Sequence, residues 1–142
     1  MRLLVSACLM GLKTRYDGKD SLCKEVLELS RKHILIPVCP EQLGGLPTPR
    51  PPCEIKCGRV MSRDGRDLTA SYEKGAEQAM AVFRLCGCEA AVLKQNSPSC
   101  GKVMVYDGSF SGILVPGLGL FARKLLNAGI RVFGEDEIQT VE

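Results

Sequence analysis

The stretch Ile34-Leu35-Ile36-Pro37-Val38-Cys39-Pro40-Glu41 decides the fold. Its first five residues are apolar, and the run is short and closed by Cys39-Pro40, which reads as a strand. Pro40 cannot continue a central strand, so the chain must leave the sheet there. Upstream, Leu22–Arg31 carries Leu22, Val26, Leu27 and Leu29 at helical spacing, with Asp20 or Ser21 as its N-cap. Before that helix, Arg2–Ala7 is another apolar run, ending in Ser-Ala-Cys. Strand, helix, strand is the unit of a parallel sheet.

The same alternation continues downstream. Residues 41–57 are rich in Gly and Pro and read as a loop. Val60–Leu68 is expected to form a hairpin around Asp64-Gly65. Ser71–Cys86 is the clearest helix, with Tyr72, Ala76, Ala79, Met80 and Phe83 on one face and Gly87 at its end. Ala90–Lys94 reads as the third strand and Ile130–Gly134 as the fourth, with helix Leu118–Ala128 between them. A second hairpin, Val103–Tyr106 with Phe110–Val115, is expected to turn at Asp107-Gly108. The expected fold is α/β, a three-layer, Rossmann-like arrangement of one mostly parallel sheet with helices on both faces, over a single domain spanning residues 1–142.

Composition narrows the function. The chain has 142 residues, 45% hydrophobic and 25% charged, the balance of a globular domain that can bury a core. Its net charge is +3, far from the dense basic patches of a nucleic-acid binder. There is one histidine, His33, so a Ser-His-Asp triad or a histidine zinc site has almost nothing to draw on. The apolar start is too short for a membrane span, which needs about 20 such residues. The expectation is a cytoplasmic protein, where disulfides are rare. Its eight cysteines therefore call for metal binding or catalysis.

The strand pattern sorts those cysteines. Cys8 follows the first strand, Cys39 the second, and Cys100 lies in the loop after the third. In an open parallel sheet the carboxyl ends of the strands share one edge, and ligands bind there. Cys86 and Cys88 precede the third strand and belong at the opposite edge. Cys23 lies in a helix, and small buried cysteines are often only packing. Cys53 and Cys57, in the Pro-rich loop, are left open. Three thiolates suit zinc, copper(I) or an iron–sulfur cluster, and three protein ligands leave a coordination position free. Glu41 and Ser97 lie beside these cysteines. A carboxylate next to a metal is a candidate for proton transfer.

Several motifs now stand in order: Val5-Ser6-Ala7-Cys8-Leu9-Met10-Gly11 with Arg15-Tyr16-Asp17-Gly18, Val38-Cys39-Pro40-Glu41, Gly44-Gly45-Leu46-Pro47 with residues 49–55, and Lys94 to Gly101. Together with the final Gly129–Glu137 they resemble the DUF523 family, whose characterised members are thiouracil desulfidases. The resemblance implies a [4Fe-4S] cluster held by the residues that match its ligand motifs, Cys8, Cys39 and Cys100. It implies Glu41 and Ser97 as catalytic residues and a small thiolated pyrimidine as substrate. Arg15 and Asn96 are expected near the base, with Lys94 at the same edge and Arg50 as an anion-binding candidate. No membrane or polymeric nucleic acid is expected as a partner. The rivals are a zinc-dependent nucleobase hydrolase, which Cys39-Pro40-Glu41 weakly suggests, and a non-catalytic cluster carrier or redox sensor.

Overall fold

The computed structural model describes all 142 residues. Four strands, β1 (Arg2–Ser6), β2 (Ile34–Val38), β5 (Ala90–Leu93) and β8 (Arg131–Gly134), form one sheet in the order β2-β1-β5-β8, and every pairing is parallel. Strand β1 is central, with Leu3, Leu4 and Val5 fully buried; β5 is Ala-Ala-Val-Leu, buried at all four residues. Such unbroken apolar runs are what a strand covered on both faces requires.

The chain leaves β1 in one direction to make β2, then crosses back over the sheet to make β5 and β8. Right-handed crossovers running opposite ways place their helices on opposite faces. Two core clusters result. Helices α3 (Thr69–Leu85) and α4 (Leu120–Asn127) pack Ala76, Ala79, Met80, Phe83, Phe121 and Leu125 against Leu4, Ala91 and Val132. On the other face Val26 of α1 (Lys24–Glu28) packs with Leu3, Val5, Val92 and Phe133. The reversal of strand order falls between β1 and β5, and the carboxyl ends at such a switch point leave a crevice.

Several expectations are corrected. The first helix is only Lys24–Glu28, continued as a 3₁₀ turn over Leu29–Arg31. Its N-cap is Cys23, not Asp20 or Ser21, and Asp20 instead accepts a bond from the Leu22 amide in a local turn. Leu22 is therefore exposed. Strand β2 is an edge strand with Ile34 58% exposed, which also explains how Pro37 is tolerated in it.

Residues 41–57 are not all loop. Pro40–Leu43 forms a short helix, α2, and Cys53–Lys56 forms β3, paired antiparallel with β4 (Arg59–Ser62). That hairpin turns at Cys57-Gly58, whose φ angles are both positive, as a two-residue hairpin turn demands. Around Asp64-Gly65 only a further turn and a single Met61–Asp67 bridge form. The second hairpin, β6 (Met104–Tyr106) with β7 (Leu114–Pro116), is present, but a longer connection from Asp107 to Ile113 replaces a tight turn at Asp107-Gly108.

One close contact sets the position of Cys39 and Glu41. A Cβ on Gly75 in α3 would overlap the carbonyl oxygen of Pro40, and a Cβ on Gly44 would overlap that of Ser71. Only two glycines let α2 lie backbone-to-backbone on α3. This seats the start of α2 over the carboxyl end of the sheet.

Candidate metal centre

Each of three strands delivers one thiol to the crevice. After β1 the chain makes a 3₁₀ turn over Ala7–Met10 that carries Cys8, and Gly11, in the left-handed conformation, ends it. After β2, Cys39 caps α2 with extended backbone. After β5, the turn Ser97-Pro98-Ser99-Cys100 is closed by the Ser97 hydroxyl, which accepts the Cys100 amide at 2.7 Å. Cys8 and Cys100 are buried and Cys39 half-buried. All three line one cleft of about 500 Å³, together with Glu41, Ser97, Arg15, Asn96 and Lys94. The structure thus brings together every residue that the sequence placed at this edge.

The surroundings of the thiols are chemically specific. Burial pushes the Cys100 thiol up to about 12, while hydroxyls from Ser6 (3.4 Å) and Ser99 (3.6 Å) pull the other way. Burial, then repulsion from Cys39, pushes the Cys8 thiol up to about 11. Cys39 is also raised, chiefly by burial, and its Sγ lies 3.8 Å from an Arg50 nitrogen. Left alone, these are neutral, poorly nucleophilic thiols. A soft metal would displace their protons, and the hydroxyl and guanidinium donors would then meet thiolates.

The spread of the ligands matters as well. No three His, Cys, Asp or Glu side chains converge closely enough to ligate a single metal ion. Three thiols lining one cleft are a donor set that soft metal ions and iron–sulfur clusters share.

Glu41 is 9% exposed and fully engaged. Arg50 Nε donates to its Oε1 at 2.9 Å and the Ser99 hydroxyl to its Oε2 at 2.9 Å. Ser97 Oγ lies 3.3 Å from Ser99 Oγ. A line of hydroxyls therefore runs from Ser97, through Ser99, to Glu41. Arg50 is not a free anion site. Its guanidinium is buried and also donates to the carbonyl oxygens of Thr14 and Pro47 and to the Thr48 hydroxyl. Arg15 is likewise partly spent, on Ser21 and Asp17. Asn96 adopts a positive φ of 70°, which Asn tolerates, and bridges to Val105.

Of the other cysteines, Cys53 sits on β3 and lines the cleft, whereas Cys57 is exposed at the hairpin turn. Cys86 and Cys88 lie at the opposite edge, where Arg2 at the start of β1 donates to the Cys86 carbonyl. Sequence reasoning missed Ser99, Ser6 and the clamp role of Arg50. Ser99 was findable, since it adjoins Cys100 in the same Ser-Pro-Ser turn. Arg50 was not, because its partner is set by how the Pro-rich segment folds back.

Comparison with known proteins identifies relatives of this chain. A family model described as 2-thiouracil desulfurase matches residues 3–137. The chain is 36% identical over 149 residues to the uncharacterized protein YbbK of Bacillus subtilis (strain 168), covering 98% of this chain and 99% of that one. A solved structure, the [4Fe-4S]-dependent thiouracil desulfidase TudS, superposes with a TM-score of 0.92 at 39% identity, over 98% of this chain and 93% of that one.

Proposed function

The chain belongs to the 2-thiouracil desulfurase family, and on that premise we propose that it is a [4Fe-4S]-dependent desulfidase acting on thiolated pyrimidines of the 2-thiouracil type. The observation that carries this reading is the meeting of three strand-end thiols and one clamped carboxylate in a single cleft. Cys8, Cys39 and Cys100 hold the cluster. Once bound, it supplies a Lewis acid, at an iron without a protein ligand, that polarises the carbon–sulfur bond.

The protein's own part is proton handling and positioning. One water is consumed, its oxygen ends on the ring carbon, and sulfur departs as hydrogen sulfide. Glu41 takes one proton from that water and returns it as the carbon–sulfur bond breaks. The added hydroxyl gives up the other on becoming the carbonyl, so both protons leave with sulfur and the ring keeps its own. Both Glu41 oxygens already have partners, so the proton travels through the Ser99 hydroxyl that joins Glu41 to Ser97. Ser97, nearer the open cleft, hydrogen-bonds the water or the base. Arg50 keeps the carboxylate in place. Arg15 and Asn96, which line the same cleft, contact the base in this reading. A bare cluster carrier needs no hydroxyl path from Ser97 through Ser99 to Glu41.

Replacing each cysteine by serine tests the ligand assignment. Iron and visible absorption should be lost at Cys8, Cys39 and Cys100 and kept at Cys23, Cys57, Cys86 and Cys88. Retention of a full cluster after any of the first three changes would remove that residue from the ligand set.

A further inference from the structure

Phe110 stands in an unfavourable backbone conformation at a half-buried position outside the core. Its φ is 56°, in the left-handed region that bulky side chains avoid. Asn or Gly would occupy such a position at little cost. Phe110 belongs to neither buried core cluster. The residue instead lines the cleft, as does Arg63, whose guanidinium carbon lies 5.3 Å from the Phe110 ring centroid.

The conformation is actively held. Glu54, on β3, accepts the amides of both Gly108 (3.0 Å) and Phe110 (3.1 Å) through one oxygen, tying the β6–β7 connection to the first hairpin. Gly108 permits the approach, since a Cβ there would press on Lys56. Asp107 closes the turn by accepting from the Ser109 amide and hydroxyl. Two hairpins outside the central sheet are thus fastened together, and the residue they strain is an aromatic at the cleft. Strained backbone that surrounding bonds over-determine is found at working sites.

We propose that Phe110, braced by Arg63, is the specificity wall of the cleft, the surface on which a flat heteroaromatic ring stacks while its sulfur-bearing carbon faces the metal centre. The idea rests on the proposed reading of the cleft as a thiobase site. Stacking of a base on an aromatic side chain is tolerant of ring substituents but demands flatness. The wall therefore selects planar pyrimidines over puckered, saturated rings.

The test uses cluster-loaded protein and calorimetric binding of uracil and of 5,6-dihydrouracil, with sulfide release from 2-thiouracil followed separately. Phe110→Asn keeps the left-handed backbone and removes the ring; Phe110→Tyr restores a ring. Uracil should bind Phe110→Asn about tenfold more weakly, with KM for 2-thiouracil rising in step and kcat nearly kept. Dihydrouracil binding, iron content and melting temperature should not fall, and Phe110→Tyr should match wild type. Uracil affinity in Phe110→Asn within about twofold of wild type would overturn the wall, and so would equal losses for both ligands. Phe110-dependent uracil binding without any sulfide release would sink the desulfidase reading and leave the wall standing. Failure of wild type to bind any planar pyrimidine would sink both.

Discussion

Arg50 Nε lies 2.9 Å from Glu41 Oε1, and the two side chains are only 4% and 11% exposed. An ion pair this buried holds its geometry because neither partner can be resolvated in place. It joins α2 to the Pro-rich segment that follows it, and the same guanidinium reaches toward Cys39.

Removing the cation is therefore expected to be costly. Arg50→Ala leaves a buried carboxylate unpaired, which costs about 3 kcal/mol. Urea unfolding of the cluster-free protein measures it. Arg50→Lys should recover only part of the loss, since one ammonium cannot replace a fork that bonds Glu41, Thr48 and the Thr14 and Pro47 carbonyls together. An unchanged unfolding midpoint in Arg50→Ala would show the pair to be idle.

The hydroxyl line makes a graded prediction for turnover. Glu41→Gln should keep iron and sulfide but lower kcat by about 10²-fold or more, the usual worth of a positioned proton carrier. Ser99→Ala should also lower kcat with the cluster intact, because it cuts the link between Ser97 and Glu41. Steady-state kinetics beside iron analysis separates these effects from cluster loss. Full activity in Ser99→Ala would route the proton elsewhere.

Much of this arrangement was legible in the sequence. The four parallel strands and helices α3 and α4 follow from unbroken apolar runs and clean helical spacing, and those runs are long enough to signal themselves. Cys8, Cys39 and Cys100 could be grouped because topology alone puts strand ends on one edge. The missed elements lie where local signals mislead. Strand β3 begins directly after two prolines, and its turn uses Cys57 at positive φ where Asn would be expected. The α1 segment is short because Asp20 bonds Leu22 locally and does not cap the helix. The Arg50–Glu41 pair and the Phe110 wall depend on how hairpins and loops fold against each other, and no periodicity encodes that.

Tyr72 supplies a pH prediction. It is 2% exposed, and burial first, then the nearby Glu41 charge and Cys53, push its phenol well above the ordinary tyrosine value. The folded state thus keeps a proton that the unfolded chain gives up near pH ~10. Its contribution to stability is complete below that pH and is lost as pH rises further. The urea midpoint should fall between about pH 9 and pH 11, and less steeply in Tyr72→Phe. Equal slopes in the two proteins would mean that Tyr72 ionises freely in the folded state.

The central claim is that this cleft holds a cluster and removes sulfur from a thiobase. The most direct test is anaerobic reconstitution with iron and sulfide, followed on one sample by metal analysis, visible absorption and sulfide release from 2-thiouracil. The account predicts a brown protein with about four irons per chain, as a full cubane requires, that converts 2-thiouracil to uracil and sulfide. A colourless protein that takes up one zinc, or a full cluster that releases no sulfide from any thiolated pyrimidine, would contradict it.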